Sequence, residues 1–156
     1  VVACARMTPD RLDDAYALLS VFLGQDELYL DSSRAYGDGG SEALKRALGL
    51  FLARPELGFV WLADEDRTAV GVCVVCFAIS TSIGAVVAKL DDVFVKSERQ
   101  GAGVGSALLS GLKEELRRQG VRRIDTSIHL RNEEARRFYE RHGFLPLREE
   151  RLACVL

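Results

Sequence analysis

Gly101, Gly103 and Gly105 stand between an apolar run ending in Phe94-Val95 and a segment of helical spacing that begins near Val104. A strand that enters a glycine-rich turn and then opens a helix lets the backbone come close to a ligand. It also presents the unpaired N–H groups of the first helical turn at the positive end of the helix dipole, and that geometry suits phosphate. The turn is not a P-loop, because no Gly-Lys-Ser/Thr follows, and Ser106 takes the place where the dinucleotide fingerprint requires a third glycine or an alanine. A plain strand–helix connection with permissive glycines has the same appearance. Other reactive side chains lie nearby in sequence: the adjacent Asp91 and Asp92, then Asn132 and Tyr139. In a strand Asp91 and Asp92 point to opposite faces, so one of them looks into any cleft, and a bulge at this place exchanges them. Tyr139 stands at helical spacing from Ala135 and His142, where a tyrosine is by default a core residue with its hydroxyl satisfied. His129 and His142 read as structural.

The elements that must position these groups follow from periodicity. Val1 to Arg6 reads as a strand, and Thr8-Pro9-Asp10 opens a helix with Leu12, Ala15, Tyr16, Leu19 and Phe22 on one face. From Gln25 to Gly40 there is no period, and the segment reads as a loop. A second helix runs from about Ser41 to the Arg54-Pro55 break. Gly58–Ala63 and Ala69–Ile79 are strands joined by the polar Asp64–Arg67 connection, and Ala85–Val95 is the next strand. Val104 to Gln119 is a helix ended by Gly120. Val121–Leu130 is a strand, Asn132 caps a short helix closed by Gly143-Phe144, and Phe144–Val155 reads as a last strand. The order β-α-α-β-β-β-α-β-α-β predicts one α/β domain over residues 1–156, with helices on both faces of a mixed sheet.

Composition agrees with an ordinary globular chain. It has 156 residues, 48% hydrophobic and 28% charged, with 21 Lys+Arg against 23 Asp+Glu. Near-neutral charge leaves no positive field to gather nucleic acid. The longest apolar stretch, Ala69–Ile79, is far short of the roughly 20 residues a spanning helix needs. No basic stretch followed by an apolar one opens the chain, so no membrane partner and a cytoplasmic location are expected. Cys73 and Cys76 have the spacing of a metal or redox pair, but in a strand they diverge to opposite faces; free thiols and no metal are expected.

Gln100-x-x-Gly103-x-Gly105 resembles the pyrophosphate loop of the GNAT superfamily of N-acetyltransferases, and it follows an apolar strand as in that family. Further on, Asn132-x-x-Ala135-x-x-Phe138-Tyr139-x-x-x-Gly143-Phe144 is similar to the family's C-terminal signature. The resemblance is strong from Gly58 to Phe144, while the two N-terminal helices match only in pattern. Leu90 to Gly105 looks most like the polyamine, spermidine/spermine-type, acetyltransferases. The resemblance implies a twisted mixed sheet with an acetyl-CoA cleft splayed between the fourth and fifth strands. Val93, Phe94 and Val95 would then offer backbone groups to the pantetheine arm. Gln100, Gly101, Ala102, Gly103, Val104, Gly105 and Ser106 would hold the pyrophosphate through main-chain N–H groups, and Asn132 would bond the pantetheine. Tyr139 would face the thioester sulfur as general acid. Asp91 or Asp92 would occupy the place of a base, with Asp91 aligned to the polyamine enzymes' base.

The chemistry asks for the same parts. An alkylamine of pKa about 10.4 is almost wholly protonated at neutral pH, and a carboxylate, directly or through water, can take that proton. CoA leaves as a thiolate of intrinsic pKa about 8.5, which a phenol can meet as donor. The expected activity is therefore acetyl-CoA-dependent N-acetyl transfer, directly to a primary amine, with acetyl-CoA as co-substrate and no metal. The acidic, aromatic segment from Asp26 to Asp38 is either a solvated connection or the lining of an acceptor site, and in the second case it suggests a small cationic amine as acceptor. Two alternatives stay open: a catalytically silent acyl-CoA sensor, and transfer to a protein N-terminus or lysine. A homodimer is compatible with the resemblance.

Overall fold

Strands buried on both sides should be continuously apolar, and two in this chain are. In the computed structural model, which describes residues 1–25, 27 and 39–156, Gly58–Glu65 and Thr68–Ser80 form β2 and β3 at the centre of a five-stranded sheet. The others are β1 (Val2–Arg6), β4 (Ala85–Val95) and β5 (Ile124–Thr126), in spatial order β1-β2-β3-β4-β5. The first four run antiparallel in succession, and β5 lies parallel to β4.

Alternation along the strands divides the core. Phe59, Trp61, Cys73, Val75 and Leu90 face α3 (Val104–Arg118), whose Leu108, Leu112 and Leu116 form one buried row. Val60, Leu62, Val72 and Val74 face α1 (Leu12–Gln25) and α2 (Gly40–Ala53), through Leu18, Leu19, Leu44 and Leu48. α4 (Glu133–Arg141) joins the α3 face through Ala135, Phe138 and Tyr139. Cys73 and Cys76 thus lie on opposite faces, as their spacing requires, and all four cysteines are free. The polar connection between β2 and β3 tightens to Asp66-Arg67, both at positive φ (47° and 67°), the backbone of a two-residue hairpin turn. Among the described residues no helix is long and apolar enough to cross a membrane.

Two strand expectations are corrected. The fifth strand is three residues long rather than Val121–Leu130, because its ladder with β4 ends at Leu90↔Thr126. Residues 144–156 form no strand, and Leu145 and Leu152 are more than 80% exposed. Pro146 removes an N–H early in this segment, and Arg148-Glu149-Glu150-Arg151 interrupts its apolar alternation, so it presents no face to bury.

Candidate active site

The site begins where the sheet comes apart. Opposite Cys73 of β3, β4 carries two residues, Asp92 and Val93, and the register shifts there. Asp92 takes up the extra residue at φ +53°, in the left-handed region that is uncommon for a side chain of this kind. Below the bulge, Ala88, Lys89 and Leu90 pair with Ile124, Asp125 and Thr126 of β5; above it, residues 91–95 have no strand on that side among those described. Thr126 marks the point of parting, its hydroxyl donating to the Leu90 carbonyl at 2.9 Å. The expected splay between the fourth and fifth strands is therefore present, and a bulge sits at its apex.

Past the bulge the strand regains its alternation. Val93 and Val95 pack toward α3 and α4, whereas the Phe94 ring crosses to the other face and lies 6.2 Å from the Phe22 ring. The chain then passes through a 3₁₀ turn, Ser97–Arg99, into the glycine loop. The Gln100 side chain reaches back to donate to the Val95 carbonyl at 3.0 Å, and Arg99 holds Glu65 through two hydrogen bonds of 2.6 Å, tying the loop to the β2–β3 hairpin.

The three glycines answer to different constraints. Gly101 and Gly103 have φ of +79° and +85°, and Gly103 caps α3 in the left-handed conformation. Gly105 is helical, and a Cβ there would stand 3.3 Å from the Phe138 ring, so its smallness admits α4 rather than a ligand. Ala102 lies in the turn, its N–H directed at the Arg99 carbonyl (3.4 Å), and Val104 is buried in the core, leaving only its backbone for binding. Ser106 directs its hydroxyl to His142 Nε2 at 3.1 Å. Asn132 caps α4, its side-chain oxygen accepting from Ala135 N–H at 3.0 Å; its amide NH₂ is the part left for a ligand.

Tyr139 is buried, 9% exposed, with its ring edge-on to Phe138 and Phe144. Burial pushes its phenol up to about 12, and a hydrogen bond shared with Thr126 draws it part of the way back. Asp92 is half-buried at the bulge, and its carboxyl is pushed up to about 6, first by desolvation and then by the neighbouring Asp91 charge. Asp91 lies on the opposite side of the strand, 3.5 Å from the Lys89 ammonium. Cys73 connects the two reactive groups: it packs with Tyr139, Val93 and Leu90, and the charge of Asp92 acts on its thiol, which burial pushes up and keeps protonated. The structure thus gathers Asp92, Tyr139 and the open edge of β4 around the parting strands, and it places the glycine loop at the end of the same strand. The Asp26–Asp38 segment, Glu27 apart, lies outside the described residues. Among the described residues no cluster of His, Cys, Asp and Glu could hold a metal.

One residue at the splay carries no signal in sequence, and another, His142, read as structural, makes a contact that sequence does not show. Thr126 carries no motif and gains its place only by register with Leu90. His142 sits between two motif residues, Tyr139 and Gly143, but its contact with Ser106 spans 36 positions.

Residues 56–146 match the family model of the acetyltransferase (GNAT) domain. An uncharacterised N-acetyltransferase of Methanocaldococcus jannaschii is 30% identical over 97 residues, which are 55% of this chain and 43% of that protein. The chain thus spans less than half the length of that relative. Among solved structures, a possible acetyltransferase from Clostridium difficile superposes with a TM-score of 0.82 at 12% identity, covering 99% of this chain and 97% of the other. A predicted acetyltransferase from Clostridium acetobutylicum, solved with acetyl-CoA, does so at 0.73 and 16% identity, covering 99% and 96%.

Proposed function

The chain belongs to the GNAT acetyltransferase family, and from that premise we propose that it transfers the acetyl group of acetyl-CoA directly to a primary amine, with a small cationic amine as acceptor. The observation that carries this reading is the bulge at Asp92, which opens the β4 edge and sets a carboxyl of pKa about 6 at the opening. The backbone of Val93–Val95 and the amide of Asn132 would hold the pantetheine arm, and the N–H groups from Gly101 to Ser106 the diphosphate. The thioester supplies the activated acyl group; the remaining work belongs to the protein.

Asp92 receives the proton of the entering ammonium, directly or through water. Near neutral pH it is ionised enough to accept, and its raised pKa narrows the gap to the amine. Tyr139 keeps its proton at all physiological pH, so it meets the departing sulfur as a hydrogen-bond donor. Complete transfer from a phenol near 12 to a thiolate near 8.5 is uphill by several units, so the proton moves only as the C–S bond breaks. The phenolate regains its proton, through water, from the second N–H that the amine nitrogen sheds on becoming the amide, and Asp92 releases the first to solvent. The preference for a cation is read from sequence in Asp26, Glu27, Asp31 and Asp38, and from Asp91 beside Asp92.

The test is calorimetric titration with acetyl-CoA followed by an acceptor panel scored by release of free CoA thiol. Gly103→Val should abolish acetyl-CoA binding while unfolding stays cooperative, because its φ of +85° excludes a β-branched residue. Gly105→Val should instead lower the melting temperature by crowding Phe138. Polyamines or aminoglycosides should outrun neutral amino acids in kcat/KM. Tight binding without turnover on any amine would identify a sensor; unchanged affinity in Gly103→Val would overturn the loop assignment.

A further inference from the structure

His142 ends α4 in a setting that its sequence reading as a structural residue does not account for. Its ring packs against Phe138 with centroids 4.8 Å apart and the planes tilted by 51°, and Nε2 stands 3.1 Å from the Ser106 hydroxyl. Lys113, two turns further along α3, donates to the His142 carbonyl. The imidazole is thereby fixed between the end of α4 and the first turn of α3, the turn that follows the glycine loop. The charged groups acting on the ring are Lys113 from α3 and Arg141 from its own helix, both cations; with burial as the larger cause, they hold its pKa below the ordinary value. The neutral ring is favoured, and in the tautomer protonated at Nδ1 its Nε2 accepts the Ser106 hydroxyl proton.

We propose that His142, acting through Ser106, is part of the diphosphate site, and that binding of acetyl-CoA draws a proton onto its imidazole. This inference rests on the placement of the diphosphate at the glycine loop. A dianion at the start of α3 opposes the field of Lys113 and Arg141 at the ring. One proton from solvent forms an N–H bond at Nε2, and no bond of acetyl-CoA changes. Nε2 then donates to the Ser106 oxygen and turns the hydroxyl hydrogen outward, so protonation adds a positive charge and also frees a donor for phosphate. Because the complex binds the extra proton more tightly than the free protein, affinity is greatest below the free-state pKa. It declines as pH rises from that value through the higher pKa of the complex. A unit charge at intermediate dielectric corresponds to about a three- to tenfold change in Kd.

The chain has two histidines, so both ring Cε1–H signals can be followed by NMR across pH, with and without acetyl-CoA, and assigned with His142→Gln. The His142 pKa should rise by about half a unit to one unit on binding, and by less in Ser106→Ala. Calorimetry in buffers of different ionisation enthalpy should show proton uptake by the wild type beyond that of His142→Gln. Repeating both with dephospho-CoA removes the terminal phosphate, whose own pKa near 6 would otherwise contribute. Acetyl-CoA that binds while the His142 titration stays unmoved would overturn the inference and leave the loop assignment standing. No acetyl-CoA binding at all would overturn both.

Discussion

Two irregularities interrupt this sheet, and they treat their aspartates in opposite ways. At the β2–β3 pairing the register shifts between Ala63 and Asp64, and the Asp64 carboxylate is met by both terminal nitrogens of Arg11, at 2.7 and 3.0 Å. At the β3–β4 pairing the shift falls at Asp92, whose nearest ionised neighbour of consequence is another carboxylate, Asp91. Two cations act on Asp92: Lys89, which stands beside Asp91, and Arg151 of the C-terminal segment. Asp64 is a paired charge that fastens the 3₁₀ turn at Pro9–Arg11 to the end of β2. Asp92 is withdrawn from water, and desolvation together with the Asp91 charge outweighs the pull of Lys89 and Arg151, so its charged form is disfavoured and its proton becomes exchangeable near neutrality. The Asp64 carboxylate is met by an opposite charge, whereas the Asp92 carboxyl is left in tension with its surroundings, as the proposed proton transfer would require.

The largest expected effect breaks this contrast on the functional side. Asp92→Asn should lower kcat/KM for the amine by about 10²–10⁴ and remove the limb near pH 6 from its pH profile, as Tyr139→Phe should lower kcat over the same span with acetyl-CoA affinity kept. Asp64→Asn should leave kcat/KM within about threefold; a loss matching that of Asp92→Asn would mean that both bulges serve the fold alone. Steady-state thiol release measures all three.

Stability should move the other way. Asp92 has a folded-state pKa of about 6 against an ordinary value of 3.8, so the folded state binds its proton more tightly. Its charged form then costs stability above pH 6, and the cost fades as pH falls toward 4. Asp92→Asn should therefore stabilise the protein at pH 7 by up to about 3 kcal/mol and by almost nothing below pH 4, in urea melts at the two pH values. Asp64→Asn should instead destabilise by about 1–2 kcal/mol, because Arg11 loses its charge-assisted partner.

The smallest effect sharpens the choice within the acidic pair. Asp91→Asn removes the like charge but not the desolvation, which is the larger cause, so the acidic limb should shift down by less than about one unit with its plateau nearly kept. A fall of 10²–10⁴ in Asp91→Asn, with Asp92→Asn active, would transfer the role of base to Asp91.

Most of the scaffold was legible because it is written in local periodicity. Continuous apolar runs marked β2 and β3, the Leu108, Leu112 and Leu116 row marked α3, and the Asn132 cap and Gly143 stop bounded α4. The glycine loop was legible as a strand–turn–helix signal and, with the second motif, as a family. Phe144–Val155 misled because a short apolar alternation resembles a strand whether or not an edge is available to receive it. The fifth strand was overextended for the related reason that pairing length depends on the partner.

Sequence by itself determined the order of elements, the two faces of the core, the loop that opens α3 and the candidacy of Asp91, Asp92 and Tyr139, since each of these follows from spacing along one chain. Tertiary structure decided what spacing cannot encode. The bulge that separates Asp92 from Asp91 arises from β4 pairing with β3 on one side while parting from β5 on the other. Gly105 is small because Phe138 arrives from another helix, Thr126 meets Tyr139 only across the splay, and His142 meets Ser106 only once α4 has packed on α3. Which charges are paired and which are left exposed to repulsion and burial is a property of long-range neighbours, and a carboxyl near pKa 6 is the result.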